Sequence, residues 1–139
     1  MIHLLLAGPI VPYTRMTQGS MWNARSKRYL QSQDALRVQM QNQMALNGWR
    51  MYHKGIPLRV RIHFGWCLHN RDIDNETKAV LDAAKGVLFA DDRWVDEIVA
   101  KREGSGNRLE LWVEAITDTV LYKWQTAASS HRVQGGAAE

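Results

Sequence analysis

The stretch that most restricts the fold is residues 57–86, because its hydrophobic period changes partway along. Leu58, Val60, Ile62 and Phe64 alternate with Arg59, Arg61 and His63, the two-residue period of a strand with one apolar and one cationic face. After Trp66 the alternation stops, and a polar connection over 67–74 leads into residues 75–85. There Val80, Leu81, Ala83 and Ala84, followed by Gly86, predict an amphipathic helix stopped by a glycine. The apolar face of the strand and that of the helix are both expected to go to the core.

The rest of the chain fits that frame. His3-Leu4-Leu5-Leu6, closed by Gly8-Pro9 and Pro12, predicts a short first strand. Residues 11–28 mix Arg and Lys with Tyr13 and Trp22 and have no sustained period, which predicts an irregular basic loop. Leu36, Met40 and Met44 recur every fourth residue, predicting a helix over 32–46 ended by Asn47-Gly48. At that spacing the methionines read as a core stripe rather than a binding groove. Residues 94–102 and 108–116, joined through Gly104-Ser105-Gly106-Asn107, predict a hairpin. With 139 residues the chain suffices for one domain, expected over 1–116. A C-terminal extension over 117–139 is expected to hold a short helix through Leu121 and Trp124 and then a disordered tail. No internal repeat is present.

The lone Cys67 can form neither an intrachain disulfide nor a cysteine-based zinc site, which fits a reducing compartment. The apolar stretch at the N-terminus is far short of the ~20 residues that span a bilayer. The expected location is therefore the cytoplasm, with no membrane partner. Charge is divided unevenly. The first 63 residues hold nine Lys/Arg and one acid, for +8, and the remainder holds nine bases and thirteen acids, for −4. Such polarity suits a polyanion gripped by one part of the protein and attacked by another. The plainer alternative is a mixed, solvated surface.

The acids gather in Asn70-Arg-Asp-Ile-Asp-Asn-Glu-Thr-Lys and again in Leu88-Phe-Ala-Asp-Asp-Arg93. Asp72 and Asp74, two apart before the helix, share a face if extended. Lys78 lies one helical turn beyond Asp74, and Asp91-Asp92 follow the helix. Two carboxylates about 4 Å apart repel by roughly 4 kcal/mol at an effective dielectric near 20, so three gathered without a cation would cost a large share of a small domain's stability. Oxygen ligands without cysteine or a suitably spaced histidine select Mg²⁺, with Mn²⁺ able to substitute. The matching chemistry is phosphodiester hydrolysis, with Lys78 placed to stabilise the transition state or the leaving oxygen.

Taken singly, each residue has a plainer use. Asp74 can cap the helix, Lys78 can pair with Asp82, and Asp91-Asp92 can cap a turn. An EF-hand beginning at Asp72 is excluded, since Thr77 and Ala83 stand where Gly and Glu are required. A haloacid-dehalogenase-type phosphatase is disfavoured, because polar His69-Asn70-Arg71 precedes the first Asp where that family has an apolar strand.

Arg71-Asp72-Ile73-Asp74-Asn75, Lys78-Ala79-Val80-Leu81-Asp82-Ala83 and Ala90-Asp91-Asp92 with Val95 together resemble the RusA family of Holliday-junction resolvases, common in phages and prophages. The likeness covers roughly residues 1–116. It implies an α/β (α+β) fold with a small mixed sheet of about four to five strands flanked by helices, and a homodimer acting on branched DNA without a small-molecule cofactor. It further implies Asp72, Asp74 and Asp92 as catalytic metal ligands, with Asp91 the alternative third ligand, and Lys78 as their essential basic partner. A two-fold dimer suits a four-way junction, which needs two matched nicks.

On that reading Arg15, Arg25, Lys27, Arg28, Arg59, Arg61 and Arg71 become candidate phosphate contacts. Tyr13 and Trp22 are either stacking platforms for an unpaired base or loop anchors. Two other readings stand beside it: a non-catalytic branched-DNA-binding module, and a metal nuclease of flaps or duplexes.

Overall fold

A computed structural model describes residues 1–8, 10–13 and 23–116. Arg15, Trp22 and the expected C-terminal helix and tail lie outside the described residues. The element order is β1 (Ile2–Ala7), α1 (Ala24–Asn47), β2 (Leu58–Trp66), α2 (Ile73–Ala84), a one-turn 3₁₀ helix (Asp92–Trp94), β3 (Val95–Arg102) and β4 (Ser105–Ala115). The four strands form one mixed sheet in the order β1-β4-β2-β3, so the fold is α+β.

The strand predicted over 58–64 is the centre of this sheet. β2 pairs antiparallel with β4, Val60 opposite Val113, and parallel with β3, Val60 opposite Ile98. Its apolar face, Leu58, Val60, Ile62, Phe64 and Trp66, is buried against α1 and α2 together with Leu4, Leu6, Leu109 and Leu111. Each fully buried aliphatic or aromatic side chain contributes about 1.5–3 kcal/mol. Arg59, Arg61 and His63 point to the other face, which neither helix covers.

The expected hairpin of 94–102 with 108–116 does not form. Both strands exist near the expected bounds, but β2 lies between them. The chain leaves β3, passes the end of β2 through a Glu103 N–H bond to the Phe64 carbonyl at 3.0 Å, and enters β4 with Ser105 opposite Trp66. Two glycines permit this crossing. Gly104 has φ +99°, and a Cβ on Gly65 would sit 2.6 Å from the Arg108 carbonyl oxygen. Burial explains why β3 takes the edge. Asp96, Glu97 and Lys101 tolerate solvent, whereas β2 must be flanked on both sides to bury its apolar run.

Helix α1 is longer than its apolar residues announce. Asn23 caps it, its side chain accepting the Ser26 N–H at 2.8 Å, so residues 24–28 are helical rather than an irregular loop. Its buried stripe is Ser26, Tyr29, Gln33, Leu36, Met40 and Met44, in which two polar members disguise the period. The methionines are core, and Gly48, at φ +66°, ends the helix at the expected stop. Arg37 donates to the carbonyls of Asp82 and Ala83 at the far end of α2, and Gln33 donates to Ala79. These bonds lock the two helices in register. No helix among the described residues is long and apolar enough to cross a membrane.

Candidate active site

Two acidic groups stand at opposite ends of α2. Asp72 is the N-cap residue of that helix, yet its side chain makes no capping hydrogen bond. It is exposed and uncommitted. Asp74, in the first turn, accepts the Asn75 N–H at 3.0 Å and is also exposed. Asp74 therefore does not cap the helix, which starts two residues earlier than the sequence predicts and has Asp72 at its N-cap position without a side-chain cap.

A buried network holds the Asp72 loop. Glu76 is fully buried, accepting the Trp66 indole N–H at 2.7 Å, with the Arg102 guanidinium 3.5 Å from its other oxygen. Arg102 in turn donates to the carbonyls of Leu68 at 3.1 Å and Arg71 at 2.7 Å. The end of β3 is thus tied to the loop that carries Asp72. Hydrophobic periodicity alone gives Glu76 no role. The signal that marks it is a carboxylate falling within the apolar stripe of Ala79, Val80 and Ala83.

Beside Asp72 opens a cavity of about 320 Å³ lined by Tyr13, Arg25, Arg28, Asn70, Arg71 and Asn75 among others. Arg71 also donates to the Ile10 carbonyl, and Tyr13 is pinned by its N–H to the Asn75 carbonyl at 3.0 Å. Lys78 lies 4.0 Å from the centre of the Tyr13 ring rather than against Asp82. Tyr13 is therefore a half-buried anchor, packed edge-on against Tyr29. The first turn of α1 contains no acid and presents Arg25 with Lys27 and Arg28 close behind. Cations at a helix N-terminus oppose its dipole, an arrangement that an anion relieves.

Arg59 and Arg61 are elsewhere, on the uncovered face of the sheet. Arg59 is bonded to Glu97 at 2.7 Å and Glu114 at 3.0 Å, and Arg61 lies over the Trp112 ring at 5.3 Å. The expected basic surface thus divides. Arg25, Arg28 and Arg71 gather with Asp72, while Arg59 has carboxylate partners of its own.

Asp91 and Asp92 follow α2 and precede β3. Asp91 caps the 3₁₀ turn by accepting the Arg93 N–H at 3.1 Å; that bond, then one shared with Asp92, holds Asp91 below the usual carboxylate range. Burial first, and the hydrogen bond with Asp91 second, hold Asp92 above it, with the charges of Asp91 and Asp82 adding to the shift. Asp82 also accepts the Tyr29 hydroxyl at 3.2 Å.

The parallel pairing of β2 and β3 sets the separation. Arg71 sits by Arg102 at the end of β3, whereas Asp92 precedes Val95 at its start, roughly 23 Å away at about 3.3 Å per residue. Among the described residues, no three His, Cys, Asp or Glu side chains could hold one metal ion. The two halves of the expected cluster do not meet within one chain.

Comparison with individually curated proteins finds no match. The family described as Endodeoxyribonuclease RusA matches residues 12–114, a span that holds both acidic groups, the described arginines beside Asp72, β2, β3 and β4 up to its last residue. The chain belongs to the RusA endodeoxyribonuclease family.

Proposed function

We propose that this protein is a homodimeric, Mg²⁺-dependent endonuclease that resolves four-way DNA junctions in the cytoplasm, with Mn²⁺ able to replace Mg²⁺. The observation that carries the reading is an uncommitted Asp72 carboxylate at the mouth of a cavity walled by Arg25, Arg28 and Arg71, in a chain of an endodeoxyribonuclease family. Carboxylate oxygens with no sulfur or imidazole beside them suit a hard dication. The hydrogen-bonded Asp91–Asp92 pair, one member held above the usual range, marks a second place where a cation would relieve repulsion.

Because these groups stand at opposite ends of α2, the reading requires two chains. Asp72 and Asp74 of one subunit would hold the ion together with the partner subunit's Asp92. Asp91 is the weaker candidate, being occupied by its cap to Arg93. The dication, when bound, supplies charge neutralisation and an activated water. The protein's own groups do the rest. Arg25, Arg28 and Arg71 hold the backbone phosphates flanking the cut, and Lys78, kept beside Tyr13, meets charge developing on the leaving oxygen. Lys27 and Arg15 extend the basic surface, and Arg61 contributes only where a junction arm reaches the uncovered sheet face.

A synthetic four-way junction incubated with the protein and Mg²⁺ is expected to be cut by paired nicks, and EDTA is expected to abolish cutting while leaving binding. Binding without cutting under any divalent cation would reduce the protein to a branched-DNA-binding module. Equal cutting of flaps or plain duplex would remove the junction preference.

The phosphate role has its own measure. Replacing both Arg25 and Arg28 with alanine should weaken junction binding at every sequence tested. It should also reduce the slope of log affinity against log salt by about 0.9 for each phosphate no longer neutralised. An unchanged slope would place the phosphate-binding groups elsewhere.

A further inference from the structure

A sheet has two edges, and this protein treats them differently. The outer edge of β1 is closed by glutamines of α1. Gln43 accepts the Leu5 N–H at 3.1 Å and donates to the Leu5 carbonyl, and Gln39 does the same for Ala7, at 2.7 and 3.3 Å. Their side-chain amides stand in for a missing strand. The outer edge of β3 has no strand beside it among the described residues, and its middle is the uncharged run Ile98-Val99-Ala100, with Ile98 45% and Val99 49% exposed. An open edge with an apolar centre is a template for another strand.

We propose that β3 pairs with β3 of a second copy of this chain, antiparallel about a two-fold axis through Val99. The sequence of the strand is complementary to itself in that register. Glu97, which also bonds Arg59 of its own chain, comes opposite the partner subunit's Lys101, Ile98 opposite the partner's Ala100, and Val99 opposite the partner's Val99; the exposed Lys101 would exchange its surface pairing with Glu103 for this one. Shifting the register by two residues loses the Glu97–Lys101 match at both ends. An isologous contact of this kind closes at two subunits and leaves no open edge on β3.

The proposal rests on the shared-site reading above and supplies its geometry. Antiparallel pairing lays the start of one β3 against the end of the other. Asp91 and Asp92 stand at the start, and Arg102, which holds the Asp72 loop, stands at the end. Each chain's Asp92 is thereby delivered to the end of the joined sheet where the partner subunit's Asp72 lies.

The test uses the full chain with the exposed Cys67 changed to serine. Facing antiparallel residues have Cα atoms about 4.5–5.5 Å apart, within disulfide reach. Val99→Cys should therefore oxidise to a covalent dimer at least tenfold faster than Leu46→Cys, although the latter site is the more open to collision, at 85% against 49% exposure. Val99→Arg should raise the dimer dissociation constant at least tenfold in sedimentation velocity, with the far-ultraviolet spectrum unchanged. Equal oxidation rates, or a Val99→Arg protein as dimeric as the parent, overturn the pairing. Trans-complementation between aspartate variants, described below, reads the shared site independently. Complementation without the Val99 cross-link leaves a shared site reached through another surface, and the cross-link without complementation leaves the interface and removes the shared site.

Discussion

A mixture of the Asp74→Asn and Asp92→Asn proteins, exchanged through their monomers, is expected to nick a four-way junction that neither protein cuts alone. Each variant by itself lacks one ligand in both of its sites. Loss of a metal carboxylate removes several kcal/mol of transition-state stabilisation, on the order of 10³-fold in rate. On the proposed shared site, the two lesions of the mixed dimer would fall together in one site and leave the other complete, with Asp74 from one chain and Asp92 from the other. The product is a single nick rather than paired resolution, because only one site works. A denaturing gel of end-labelled strands distinguishes the two. If each site were built within one chain, every site in the mixed dimer would carry one lesion and the mixture would stay inactive. Asp74 is exposed and makes only a local bond to the next N–H, and the asparagine is isosteric, so the fold is expected to survive the first substitution unchanged.

Glu76→Ala is expected to cost about 3 kcal/mol of stability, read as a lowered urea midpoint with an unchanged slope. Breaking a buried ion pair by removing one partner typically costs about 3–5 kcal/mol. The lower end applies because the Arg102 side chain is 18% exposed and can be rehydrated once its partner is removed. The Trp66 N–H is left without its acceptor in the core. Against a total of about 5–15 kcal/mol for a domain this size, that loss is large. Glu76→Gln preserves the acceptor for Trp66 and should cost clearly less. Cutting should fall further than stability alone requires at temperatures where the variant remains folded, since the Arg102 clamp on the Asp72 loop is loosened. A midpoint unmoved by Glu76→Ala would show that this carboxylate contributes nothing to the packed state.

The central strand, the helix after it and the stop of α1 were legible because each is a local pattern. Alternation over 58–64, the Asp-x-Asp before a helix and the glycine after Asn47 need no knowledge of distant residues. Helix α1 was only partly legible. Ser26 and Gln33 are buried with their polar atoms inside the packed face, and hydrophobic periodicity cannot register a buried polar residue. Glu76 escaped for the same reason.

What the sequence by itself determined is the set of groups carried: aspartates on either side of one helix, basic residues in excess near the N-terminus, and one strand and one helix each with an apolar face. What only the tertiary structure decided is who meets whom. A parallel pairing of β2 and β3 separates Asp72 from Asp92 by the length of a strand, and β2 intervenes where a hairpin was expected. Arg59 is withdrawn into a pair of glutamates, while Arg25 and Arg28 are brought to Asp72. Strand order and direction depend on contacts between residues tens of positions apart, whose loop-closure cost and burial gain are properties of the whole chain rather than of any segment.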